Sequence, residues 1–461
     1  MQAAIPKDGP GEPGRPKVRG ELRAMARLAA PVVLVQVGLM AMGVVDTIMV
    51  GRVSAVALAA AALGNLYFMN VSFFGMGTLM ALDPLVAQAV GARDRVGVAN
   101  AMQRGLVLAL ALSVLTSLVL ALARPVFDAL RQPSEVIPDA TSYVRITIWS
   151  VLPFLAFVVL RQSLQAMHRV RPIVLTIVAA NVANAFFNWV LIYGRLGSPA
   201  LGVAGAAWAT CLSRWLMALG LLALAWRDIR PYLLPIRAAT LTARPLWRMF
   251  LLGAPIGLQH TLEVGAFGMI GLLMGMLGAV EIGAHQIAIN LAATTFMVPL
   301  GVGAAAAVRV GHAVGAHDAA AARRAANVAL ALGVGFMSLT AILFVSAPTP
   351  LARAFSSDPR VLAVAVLLIP IAGVFQVFDG IQAVAAGVLR GIGDTRAPLV
   401  VNLVGFWLLG VPVSVYLGFR TDARAAGLWW GFVAGLGAVA AFLLLRIRVR
   451  MRRNVARVAA D

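Results

Sequence analysis

Long apolar runs alternate with short polar segments along the whole of this chain. Nothing charged lies between Arg52 and Asp83, and the windows Ala325–Ala352 and Ala397–Phe419 contain no charge either. A helix rising 1.5 Å per residue needs about 20 mainly apolar residues to cross a bilayer. On that measure the pattern predicts twelve spans, near residues 28–50, 57–82, 105–123, 141–160, 172–194, 201–225, 249–277, 281–306, 325–347, 361–388, 397–419 and 425–445.

The pattern also repeats. Leu85–Asp94 (LVAQAVGARD) returns 224 residues later as Arg309–Asp318 (RVGHAVGAHD), identical at six of ten positions, and the same offset carries Pro31 onto Pro255. Spans 1–6 and 7–12 are therefore two copies of one unit. An even number of spans per copy gives both the same orientation, related by a pseudo-twofold axis along the membrane normal. The expected fold is an all-α integral membrane protein, with twelve transmembrane helices in two six-helix bundles. Its expected parts are a disordered arm (1–23), a first lobe (24–226), a basic linker (227–248), a second lobe (249–446) and a basic tail (447–461).

Composition agrees with immersion in lipid. The chain is 61% hydrophobic and 12% charged, against roughly 45–50% and 25% for soluble domains. The net charge of +20 reflects topology and gives no reason to expect nucleic acid. Of the 38 Lys and Arg, 28 fall on the side of the two termini and 8 on the other, while Arg145 and Arg214 lie within spans. That bias places both termini in the cytoplasm; the expected location is a plasma membrane, that of a bacterium. The single cysteine, Cys211, excludes intramolecular disulfides and multi-cysteine metal sites. No Walker-type loop or catalytic cluster is present, so an enzyme or an ATP-driven pump is not expected.

Acids inside spans are costly, at roughly 2.5–3.5 kcal/mol mid-helix on insertion scales. Asp46, Glu263 and Asp379 are the three, and the repeat duplicates none of them, so the shared fold does not demand them. A buried carboxylate can hold a proton, a metal cation or an organic cation, one at a time, which is the basis of exchange. The plainer reading is a carboxyl group satisfied by a neighbouring hydroxyl or amide. Asn181, Asn184 and Asn188 share one helix face and suggest a polar cavity. Gln36, Gln259, Asn290, Gln376 and Gln382 are weaker candidates, each read first as an interhelical hydrogen-bonding group, with Gln36, Asn290 and Gln376 kept as candidates for the cavity. Pro31 and Pro255 should bend the first span of each half. His312, which answers Gln88 in the repeat, reads as structural. Asp83 and Asp394 sit near arginines at the inner face and read as gating or helix-end salt bridges.

Five segments together resemble the multidrug and toxic compound extrusion (MATE) family, in particular its NorM-like branch. They are VVDTIMVG (Val44–Gly51), LDPLVAQAVGA (Leu82–Ala92), LGVAGAAWAT (Leu201–Thr210), Glu263 in span 7, and VFDGIQAVAAGVLRGIGDTRAP (Val377–Pro398). The resemblance implies two lobes around a central cavity and export of cationic, amphipathic compounds against Na+ or H+ entry, without other cofactors. By motif position, Glu263 and Asp379 resemble the second-lobe cation-binding acids, with Na+ the one metal ion they would hold. Asp46 with Asn181 and Asn184 resembles the first-lobe polar site. Expected partners are the bilayer and organic cations, for a monomer. The alternatives are a relative exporting a lipid-linked or anionic metabolite, whose cavity should be rich in arginine, and a receptor or scaffold that transports nothing.

Overall fold

The computed structural model describes residues 18–237, 240, 242–452 and 456–458, and among them all regular structure is helical. The first half comprises α1 (Val18–Gly51), α2 (Ala55–Leu79), α3 (Leu82–Gly91), α4 (Arg95–Ala121), α5 (Ala123–Ala129), α6 (Ile137–Ile148), α7 (Val151–Ala166), α8 (Arg171–Tyr193) and α9 (Gly202–Leu224). The short α10 (Trp226–Leu233) leads to the second half. There α11 (Ala243–Leu277), α12 (Ala279–Gly315), α13 (Ala319–Ser346), α14 (Pro348–Arg353) and α15 (Pro359–Gly391) are followed by α16 (Arg396–Asn402). A wide-turned π-helical stretch (Leu403–Gly410) then joins α17 (Val411–Phe419), and α18 (Arg424–Arg452) closes the chain.

Eleven described helical segments are long and apolar enough to cross a membrane, and α6 with α7, bent by 51° at their junction, forms a twelfth. Each overlaps one span expected from the sequence, and the two six-helix bundles are present. Helices overrun the apolar windows at the charged ends. α1 begins at Val18, so residues 18–23 of the arm expected to be disordered are helical; residues 1–17 lie outside the described set. α10 and the start of α11 likewise fall within the expected linker, and α18 runs on to Arg452 in the expected tail.

The repeated decapeptide is a structural device. Arg93 and His317 both take φ +57°, which reverses the chain after a helix. Asp94 and Asp318 then cap the next helices, accepting from the Gly97 N–H at 2.8 Å and the Ala321 N–H at 2.7 Å. The two copies also meet each other. A Cβ on Gly91 would strike the His312 carbonyl, and one on Gly315 would strike that of Gln88. Gln88 donates to the Gly391 carbonyl at the end of α15 (2.9 Å), and His312 Nε2 bonds the Ala166 carbonyl at the end of α7 (2.7 Å). Residues 88 and 312, like 91 and 315, are exchanged by the repeat, so this contact is symmetric about the axis between the halves. His312 is thus structural, as its match to Gln88 suggested. Gly315→Ala is expected to cost about 1–3 kcal/mol, the usual penalty of overpacking, read as a lower Tm. An unchanged Tm would mean that the halves part here freely.

Other joints between the halves lie at the same end. Gly77 packs on Gly257, and Gly253 on the Thr78 carbonyl. Glu21 binds Arg309 through both oxygens at 3.0 and 2.7 Å. Asp83, fully buried, pairs with Arg390 at 3.0 Å, the charges touching although the N–H points off the oxygen. Towards the opposite face no neighbour lies within 4 Å of a Cβ built on Gly43 or Gly268. These joints between the halves therefore gather at the face bearing the chain ends, where the cleft between the bundles is shut.

At the shut face His168 Nε2 meets His312 Nδ1 at 3.0 Å. Part of His168 is open to solvent, but the crowding of its ring, together with the Arg309 guanidinium, pushes the imidazole down to about 4. The unfolded chain takes up this proton near its ordinary value of 6.5, and the folded one only near 4. The stability from this contact is complete above pH 6.5 and is lost as pH falls towards 4. Between pH 7.5 and 5 the wild-type Tm should fall more steeply than that of His168→Gln. Parallel curves would refute the assignment.

Candidate cation-binding site

The three membrane acids occupy two different settings. Asp46, near the outer end of α1, accepts from the Asn188 amide on α8 and from the Thr210 hydroxyl on α9 at 3.0 Å. Asn188 also donates to Asn184 at 3.2 Å. The Arg214 guanidinium, one turn beyond Thr210, interacts electrostatically with Asp46. It is itself held over the Phe68 ring at 4.0 Å and donates to Ser150 at 2.8 Å. The first-half acid therefore has a resident cation close by.

Glu263 and Asp379 have no such neighbour. Glu263 on α11 is half-buried and lies close enough to Gln382 on α15 to interact with its amide. Asp379, on the same helix as Gln382, is 5% exposed and close enough to Glu263 to feel its charge. No basic side chain pairs with either acid among the described residues. Asp379 Oδ1 and Gln382 Oε1 are buried without a hydrogen-bond partner. Aromatic rings dry the surroundings: Phe267, one turn after Glu263, meets Phe432 at 4.9 Å, and Phe375, one turn before Asp379, stacks on Phe432 at 5.4 Å. The Trp407 indole from the π-helical stretch donates to the Leu262 carbonyl beside Glu263 at 3.1 Å. Two carboxylates and the Gln382 amide thus lie together in an apolar wall, with no basic side chain paired to either acid among the described residues.

The remaining candidates scatter. Asn181 shares a face with Asn184 and Asn188 but bonds the Gly38 carbonyl at 3.0 Å, about 12 Å along α1 from Asp46 at 1.5 Å per residue. Gln36 accepts from Arg161 at 2.9 Å, and Gln376 from Thr295 at 2.7 Å. Asn290 lies on an exposed face of α12, away from any acid partner among the described residues. Gln259 is buried on α11. Pro31 and Pro255 sit inside unbroken stretches of α1 and α11; each deprives the carbonyl four residues earlier, of Arg27 or Leu251, of its helical donor.

Arginine within spans was undercounted. Besides Arg214, the buried Arg104, Arg161 and Arg390 all lie in helices, because those helices run past their apolar windows; Arg145 lies on an exposed face of α6. Arg390 pairs with Asp83 at the shut end, and Arg161, which donates to Gln36, adds its charge nearby. Thr210 and Arg214 were also missed as partners of Asp46. Their four-residue spacing on one span was the available signal.

Comparison with known proteins extends these observations. The model of the MatE family matches residues 31–190 and again 255–416, two stretches whose starts are separated by the repeat offset of 224. The probable multidrug resistance protein NorM of Mesorhizobium japonicum is 39% identical over 93% of this chain and 94% of its own length. The multidrug resistance protein MdtK of Pectobacterium atrosepticum is 36% identical, over 95% and 98% respectively. Among solved structures, that of the eukaryotic MATE transporter AtDTX14 superposes with a TM-score of 0.86 at 23% identity, covering 94% of this chain and 96% of the other.

Proposed function

The chain belongs to the MatE family, and from that premise we propose that it is a multidrug exporter exchanging cationic, amphipathic compounds for Na+ or H+. The relatives named for multidrug resistance support the substrate class. The observation that carries the exchange is the pair Glu263 and Asp379, which lacks any resident cation among the described residues. Like charges close together in an apolar wall favour uptake of a cation between them. A proton or Na+ entering there competes with the charge of an organic cation in the cleft. Asp46, which has Arg214 nearby, serves as a fixed polar group on the other side.

The excess of Lys and Arg at the shut face supports cytoplasmic termini, and on that reading the cleft is closed on the cytoplasmic side. Alternating access then requires the contacts around Gly77, Gly91 and Asp83 to part, with the interrupted hydrogen bonding at Pro31 and Pro255 supplying places to bend. Export of an anionic metabolite is disfavoured, because Arg390 is committed to Asp83, Arg161 donates to Gln36, and Arg214 lies over Phe68 near Asp46.

The test is movement of a cationic dye across proteoliposomes given separate pulses of Na+ or acid. Dye movement triggered by one pulse identifies exchange and its ion. No movement with either, from protein shown to be folded, would overturn the proposal.

A further inference from the structure

A second cavity, of about 850 Å³, lies at the shut face, to one side of the contact between the halves. Five guanidinium-bearing residues line it, Arg104 from the first half and Arg248, Arg396, Arg446 and Arg450 from the second, against one acid, Asp394. Asp394 is already shared by Arg446 at 2.8 Å and Arg450 at 3.1 Å. Arg248 and Arg396 make no ion pair or hydrogen bond among the described residues. This concentration of positive charge calls for an anion.

The remaining wall defines what kind. Leu251, Val400, Phe442 and Leu445 line the same cavity and are 40%, 56%, 56% and 56% exposed. They stand on α11, α16 and α18, at the ends of membrane spans, where their exposed faces meet acyl chains. Guanidinium groups above and apolar side chains below match a ligand with a phosphate ester at one end and hydrocarbon at the other. Free phosphate would satisfy only the upper part. Val458, from the chain's tail, closes the cavity by packing near Gly393 and bonding Gln88 through its N–H at 2.7 Å.

We propose that this cavity is a binding site for the headgroup of an anionic phospholipid, held between the two halves while the face bearing the chain ends is shut. Only the choice of leaflet rests on the cytoplasmic orientation of the termini proposed above. Because Arg104 comes from one bundle and the other arginines from its partner bundle, an occupant bridges the halves and favours this closed arrangement.

The test uses the purified full-length protein in a neutral detergent, where neither sidedness nor transport enters, so failure here is separable from failure of the exchange proposal. Phosphatidylglycerol, phosphatidylcholine with the same acyl chains, and inorganic phosphate are titrated separately. Bound lipid is counted by native mass spectrometry, and Tm is followed in parallel. The expected result is one saturable phosphatidylglycerol with a raised Tm, and neither effect from the other two. The double variant Arg248→Gln/Arg396→Gln should lose about 30-fold in affinity, from two charges each contributing as basic residues do near an anionic headgroup. Arg248→Lys/Arg396→Lys should keep most of it, which separates charge from folding. Equal binding of both lipids, equal stabilisation by inorganic phosphate, or undiminished affinity in the glutamine variant would each overturn the assignment.

Discussion

Asp379→Asn is expected to abolish cation-driven export while leaving folded protein in the membrane. The substitution keeps the size of a side chain that is 5% exposed and removes its charge. In the apolar wall made by Phe267, Phe375 and Phe432, a cation held by two carboxylates would keep only one. Losing one partner of a buried charge pair costs about 3–5 kcal/mol, so cation affinity should fall by more than about a hundredfold. Stability should not fall with it, since the amide has no charge to bury. The check is dye movement in proteoliposomes driven by the effective ion, with Tm measured on the same preparation. Retained driven transport would remove Asp379 from the coupling site. A collapsed Tm would make it a structural residue.

Asp83→Ala is expected to have the largest effect on stability. Asp83 pairs with Arg390 and feels the charge of Arg161, all three buried, at the joint between the halves. Removing the acid leaves the buried Arg390 guanidinium without its paired counter-charge, a penalty of about 3–5 kcal/mol. The joint itself should also loosen, so that a crosslink between residues on α3 and α15 forms less readily. By contrast, Arg457 and Asp94, 31% and 34% exposed, form a surface pair in which Arg457 holds the Asp94 carboxyl below its usual range. Such pairs contribute about 0–1 kcal/mol. An Asp83→Ala protein as stable as wild type would show that the buried cluster is already compensated by water.

The contrast between these acids also shows what the sequence makes legible. Asp46, Glu263 and Asp379 stand out because charge is rare in apolar windows, and the repeat sharpens this by leaving each unduplicated. The approach of Glu263 to Asp379 is not written along the chain, because it depends on how α11 and α15 are rotated in the bundle. Helical spacing puts Asn181, Asn184 and Asn188 on one face, yet it does not tell that Asn181 reaches the Gly38 carbonyl while Asn188 reaches Asp46. Arg161 and Arg390 read as loop arginines because hydropathy ends where charge begins, whereas the helices go on and bury them. Spans are set by local composition, and sites by contacts between distant segments.

The contact in which Gly91 meets the His312 backbone while Gly315 meets that of Gln88 is the kind two identical subunits make about a twofold axis. Here it is folded into a single polypeptide, as a dimer interface whose two partners are permanently tethered. In a true homodimer one substitution would appear on both sides at once. In this chain Gly91 and Gly315 can be changed separately, so one seam can be wedged while its twin stays intact. The fusion has therefore given the two sides of the closure separate mutational fates, and Gln88 and His312 have already diverged.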